Sequence, residues 1–174
     1  YMDVKEQMQL REDLMMKPYV PKSSLAKPSL FPAYRESKKK FYIPKFYGIE
    51  NYGEPEEVRL CEGEKINLKF KGELREHQKP IVEKFIKHVK KDNSGLLELH
   101  TGFGKTCLAL YILAELGVKT LIIVHKEFLL RQWIERIDQF LPGAKIGKIQ
   151  GSKIEIENKD IVIGMLQSLS MKDY

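Results

Sequence analysis

"LLELHTGFGKTCLALYILAEL", residues 96–116, sets an apolar run, a glycine-containing turn and a helix-like run end to end. "LLEL" (96–99) predicts a short buried strand, and "KTCLALYILAEL" (105–116) predicts a helix that Gly117 stops. A turn that leaves a strand and enters a helix N-terminus gathers unpaired backbone N–H groups and the positive end of the helix dipole around one small space. Such a space favours phosphate. Gly102 and Gly104 let the backbone wrap closely, because a Cβ would obstruct either the required dihedrals or the approaching anion. Lys105 has the reach to meet β- and γ-phosphates as a point charge, and Thr106 places a hydroxyl where it can ligate the Mg²⁺ that bridges them. The strict pattern G-x-x-x-x-G-K-[ST] is not met, because Leu99 occupies the first glycine position. His100 and Cys107, beside the turn, are expected only to pack.

Outward from this turn the chain alternates helices and strands. Ile81, Val82, Phe85 and Val89 fall at helical spacing, and "KKDNSG" (90–95) ends that helix with polar turn chemistry. "KTLIIVH" (119–125) reads as a second buried strand. Phe128, Leu129, Trp133, Ile137 and Phe140 stripe a further helix, ended by "PG" at 142–143. "AKIGKIQG" (144–151) and "DIVIGM" (160–165) supply two more short strands. Strands alternating with helices of this length predict an α/β fold, a parallel sheet covered by helices on both faces. Before residue 73 the pattern is different. The prolines and serines of "KPYVPKSSLAKPSLFP" (17–32) predict an irregular arm, and the alternation of Ile66, Leu68 and Phe70 after "EGE" predicts a small hairpin within 56–70. The expected organisation is therefore a small irregular and β region over 1–72, followed by an α/β domain over 73–174.

Composition bounds the function. The 174 residues carry 43% hydrophobic content, which supports one buried core, and 30 Lys+Arg against 24 Asp+Glu, which permits a polyanionic partner without demanding one. Cys61 and Cys107 lack the paired spacing of a disulfide framework or structural zinc site, and a reducing intracellular compartment is expected. Apolar runs such as "LIIV" (121–124) are far shorter than a membrane span, so no membrane partner is expected. A chain opening "YM" is expected to start within a longer protein.

"LHTGFGKT" (99–106) resembles motif I of superfamily 2 helicases and translocases, in which a T-G-x-G-K-T core often lacks the first glycine. "LREHQ" (74–78) is similar to the adenine-recognition segment before motif I, "IIVHKEFLLRQW" (122–133) to motif Ia, and "IGMLQSLS" (163–170) to the T-x-Q-S motif. With "FYIPKFYG" (41–48) ahead of this core, the chain looks closest to helicases of large cytoplasmic DNA viruses and the related XPB-type DNA translocases. The resemblance implies a RecA-like P-loop domain that takes ATP and Mg²⁺. It assigns nucleotide contacts to Thr101, Gly102, Phe103, Gly104, Lys105 and Thr106, with Gln78 and Arg75 at the base; catalytic roles fall to Lys105 and Thr106, and the metal contact to Thr106. It further implies a nucleic-acid track, DNA ahead of RNA, met by Lys126, Gly151, Gln167 and Ser168.

Bland alternatives stand beside these roles. Gln78 also suits a helix cap, Lys126 a solvated helix start, Gln167 and Ser168 a helix N-cap, and Gly151 an ordinary turn. The aromatic and basic residues of 31–52 suit either single-stranded nucleic acid or strand packing, with Lys38–Lys40 as the most plausible surface contact. No apolar run ends in Asp-Glu, whereas motors of this class carry D-E-x-[HD] and a second RecA-like domain that supplies arginines. The chain is therefore expected to be the N-terminal part of a longer enzyme, inactive alone, acting at a viral replication site in the cytoplasm or in the nucleus. Another P-loop phosphotransferase, or a nucleic-acid-binding module without catalysis, are the alternatives.

Overall fold

The computed structural model describes residues 2–21 and 28–171, so residues 22–27 of the expected irregular arm lie outside the described residues. The chain divides into two compact units, Tyr1–Leu60 and Cys61–Tyr174. In the first unit, helix α1 (Val4–Asp13) starts at a reciprocal cap. The Asp3 carboxylate accepts the Glu6 backbone N–H at 2.8 Å, and the Glu6 carboxylate accepts that of Asp3 at 3.0 Å. Two minimal antiparallel pairs follow: β1 (Met15–Met16) with β2 (Phe31–Pro32), and β3 (Arg35–Glu36) with β4 (Phe41–Tyr42). Helix α2 (Lys45–Tyr52) completes the unit, whose buried apolar residues among the described ones are Leu10 and Leu14.

The second unit contains helix α3 (Lys79–Asp92), helix α4 (Lys105–Leu116), strand β5 (Thr120–Val124) and helix α5 (Glu127–Phe140). Strands β6 (Ile146–Gln150), β7 (Lys153–Ile154) and β8 (Ile161–Met165) and the short helix α6 (Leu166–Ser170) follow. The sheet order is β5-β8-β6-β7. The first three strands run parallel, and the two-residue β7 turns back antiparallel on β6. The expected helices and the three longer strands thus form where periodicity places them, and the fold is α/β.

Helix α4 explains much of the packing. Leu110 and Leu113 join Val124, Leu130, Ile137, Ile161 and Ile163 in the larger core, while Leu108 and Ile112 pack with Val82 of α3 in a second cluster. A helix that is apolar on two sides needs cover on both, which α5 with the sheet and α3 supply. On β5, Ile122 and Val124 face the core while Leu121 (49%) and Ile123 (55%) remain exposed.

Three expectations are corrected. The hairpin within 56–70 does not form; only Lys65 makes an isolated antiparallel bridge, to Val118. The alternating Ile66, Leu68 and Phe70 instead pack one by one against the larger core, with Phe70 stacked on Phe140 at 5.3 Å and 2°. Because that core captures the segment, the boundary between units falls after Leu60 and not after residue 72. The stretch 96–99 is not a strand either. Leu97 and Leu99 reach the second cluster, but Leu96 is 91% exposed, and no described strand lies beside the segment to complete a hydrogen-bond ladder.

Candidate functional site

The turn before α4 has the backbone of an anion cradle. Gly102 sits at φ +83° and Gly104 at φ +91°, in the left-handed region that a Cβ disfavours. A Cβ on Gly102 would meet nothing within 4 Å, so the space before the turn is open. Gly104 is constrained twice, since its Cβ would also lie 2.9 Å from the Gln78 amide nitrogen. As the residue before α4, Gly104 is followed by Lys105 and Thr106 in the first helical turn, where backbone N–H groups lack helical partners.

The Lys105 ammonium folds back over this turn. It donates to the Leu99 carbonyl and, at 2.9 Å, to the His100 carbonyl. A phosphate arriving at the turn would meet a cation already held beside it by neutral acceptors, which an anionic oxygen can replace with a stronger charge-assisted bond. Phe103 lies between two imidazoles, its ring edge-on to His77 at 5.0 Å and to His100 at 5.1 Å. Burial pushes the half-buried Cys107 thiol up, against the opposing charges of Arg75 and Arg136.

Gln78 is placed differently from the expectation that it reads adenine. It is 4% exposed, its amide nitrogen donates to the Phe103 carbonyl at 2.7 Å, and its amide oxygen accepts the Arg75 backbone N–H at 2.9 Å. In this arrangement the side chain staples the segment before α3 to the phosphate turn, and base recognition would require it to change partners. Nothing in the sequence marks this staple, because it joins residues 25 apart through a backbone carbonyl. Arg75 is exposed at the same corner.

The four expected nucleic-acid residues come together at the carboxyl ends of the parallel strands. Lys126 stands at the N-cap position of α5, two residues beyond the end of β5, and the Gln167 side chain donates to the carbonyl of its neighbour His125 at 3.0 Å. The Ser168 hydroxyl accepts the Gly151 backbone N–H at 2.8 Å. Gly151, at φ +57°, has open space where a Cβ would stand. Gln167 and Ser168 therefore brace the loops after β5 and β6, leaving Lys126 and the Gly151 backbone exposed on one ledge.

Residues 71–174 match the family described as Type III restriction enzyme, res subunit. The chain belongs to this family. A protein of Acanthamoeba polyphaga mimivirus named as an ATP-dependent RNA helicase is 35% identical over 173 residues, covering 95% of this chain and 33% of that protein. A protein of Invertebrate iridescent virus 6 named as a helicase is 38% identical over 108 residues, 62% of this chain and 22% of the relative. The DNA 3'-5' translocase XPB2 of Sulfurisphaera tokodaii is 40% identical over 74 residues, 42% of this chain and 16% of the relative. The chain thus spans a third or less of the length of these relatives. The solved SWI2/SNF2 ATPase core of Sulfolobus solfataricus, in complex with double-stranded DNA, superimposes with a TM-score of 0.53 at 20% identity, covering 66% of this chain and 25% of that one. That likeness establishes the RecA-like fold of this superfamily 2 member.

Among the described residues no group of three His, Cys, Asp or Glu side chains can hold a metal, and no helix is long and apolar enough to cross a membrane. The fit of a nucleotide rests on the turn itself: two positive-φ glycines, an open space, a lysine and a threonine at one helix start. Thr106 would be the residue of this turn to meet a Mg²⁺ carried mainly by phosphates and water.

Proposed function

We propose that this chain is the ATP-binding part of an ATP-dependent nucleic-acid helicase or translocase. The observation that carries the reading is the glycine turn at the start of α4, with open space before Gly102 and the Lys105 ammonium folded beside it. Backbone N–H groups of residues 102–106 and Lys105 would hold the phosphates, and Thr106 the Mg²⁺. The bound Mg²⁺ neutralises charge that develops between the β- and γ-phosphates. Thr101 and Phe103 shape the turn, and Arg75 and Gln78 flank it. Lys126 and the Gly151 backbone would face the phosphates of a nucleic-acid strand, while Gln167 and Ser168 hold those two contacts in register. The names of the relatives include both RNA helicase and DNA translocase. DNA is our choice, since the mildly basic chain and its phosphate-facing ledge suit a backbone track and a DNA translocase is 40% identical over 74 residues. The viral relatives favour action at an intracellular viral replication site.

The test is ATP binding by Lys105→Ala. Losing charge-assisted contacts at about 1.5–3 kcal/mol each predicts at least about a 100-fold loss of affinity for a labelled ATP analogue, with the fold retained by circular dichroism. A folded variant with unchanged affinity overturns the assignment. No Asp-Glu pair is present to orient an attacking water. Residues 1–174 should therefore release no phosphate above background, with or without nucleic acid.

A further inference from the structure

The first unit carries a feature that the ATP-binding unit does not use. Strands β3 and β4 pair Arg35 with Tyr42 and Glu36 with Phe41, so Ser37–Lys40 forms the tip of a hairpin. The tip is locally fastened. The Ser37 N–H donates to the Lys40 carbonyl at 2.8 Å, and the Ser37 hydroxyl accepts the Lys40 N–H at 3.1 Å. Lys38, Lys39 and Lys40 are all exposed on it, and among the described residues none of the three makes an ion pair.

These lysines line a groove of about 970 Å³ together with Leu10, Phe41, Ile43 and the half-exposed Tyr52. Glu36, the one carboxylate among the described residues that line the groove, is already held by Arg11 at 2.9 Å, and the Arg11 guanidinium also covers the Phe41 ring at 5.0 Å. The three lysines are therefore its uncompensated charge. Three neighbouring like charges on a fastened turn repel one another, and among the described residues no side-chain contact offsets that repulsion. A polyanion would.

We infer that the Lys38–Lys40 hairpin tip and Tyr52 form a second binding site, for a single strand of nucleic acid, with the lysines on successive phosphates and Tyr52 stacking a base. The single strand is favoured because an exposed aromatic ring beside a cationic rim serves unpaired bases, which a duplex keeps stacked inside. The partner class rests on the function proposed above, whereas the site lies wholly in the first unit.

The experiment measures binding of the whole chain to labelled dT20 and to a 20-base-pair duplex by fluorescence anisotropy across a salt series. Each phosphate contact on a single strand contributes about 0.7 to the slope of log K against log salt. Changing Lys38, Lys39 and Lys40 together to Gln should make the dT20 slope shallower by about 2 and weaken binding at least about tenfold. Tyr52→Leu, which keeps an apolar side chain, should weaken dT20 binding at least about fivefold with the slope unchanged. An unchanged slope in the lysine variant overturns the site, as does a chain that fails to bind dT20. Tighter duplex binding with Tyr52→Leu neutral overturns the single-strand assignment. ATP binding by the unaltered chain is read in parallel. Its absence would sink the proposed function and leave the result at the hairpin standing.

Discussion

The phosphate turn and the strand-end ledge are both assembled from polar residues around glycines, yet they are built on opposite principles. The turn is local. Two glycine dihedrals and the start of one helix, all within 102–106, create its open space. The ledge is distributed. It exists because Gln167 reaches a carbonyl 42 residues away and Ser168 an N–H 17 residues away. A local device fails through backbone strain at one position, whereas a distributed one loses alignment one bond at a time. Substitutions in the two regions should therefore differ in size as well as in what they disturb.

After Lys105→Ala, the largest effect is expected from Gly104→Ala. It forces a side chain into φ +91° and pushes a Cβ to 2.9 Å from the Gln78 amide nitrogen. Strain of about 1–3 kcal/mol should appear in denaturant unfolding, together with at least about a tenfold loss of ATP affinity. An undisturbed variant would show that the turn is not under the constraint its dihedrals indicate.

Next is Gln78→Ala, which leaves the Phe103 carbonyl without its partner at a cost of about 1–3 kcal/mol. As a staple of the turn, Gln78 serves every nucleotide alike, so affinities for ATP and GTP should fall together by about tenfold. A fall confined to ATP would show that the side chain leaves Phe103 to read the base.

The smallest effect belongs to the ledge. Ser168→Ala removes the acceptor for the exposed Gly151 N–H and should cost about 0.5–1.5 kcal/mol at most. Nucleic-acid affinity should drop a few-fold by anisotropy, with ATP affinity unaltered. An equal drop in ATP affinity would erase the distinction between the two regions.

Much of the second unit was legible in advance because its code is periodic. The stripe from Phe128 to Phe140 gave α5, the apolar runs gave β5 and β8, and Gly117 stopped α4 in the left-handed conformation. Alternation was the weaker guide. Ile66, Leu68 and Phe70 alternate as a hairpin strand would, but a period of two reports only that one side of an extended segment is buried, without saying against what. "LLEL" misled for a related reason. A strand needs a neighbour to satisfy its backbone, and pairing is a property of the sheet as a whole.

The sequence by itself determined the phosphate turn, the helices and the three parallel strands, since glycine dihedral freedom, helix-start chemistry and apolar periodicity all act over a few neighbouring residues. Only the tertiary structure decided that residues 61–72 belong to the second unit, that Gln78 is bound to Phe103, and that Gln167 and Ser168 brace the ledge. Each of those outcomes is a choice among many available hydrogen-bond or packing partners, and the choice is made by which surfaces the folded core brings within about 3 Å of one another.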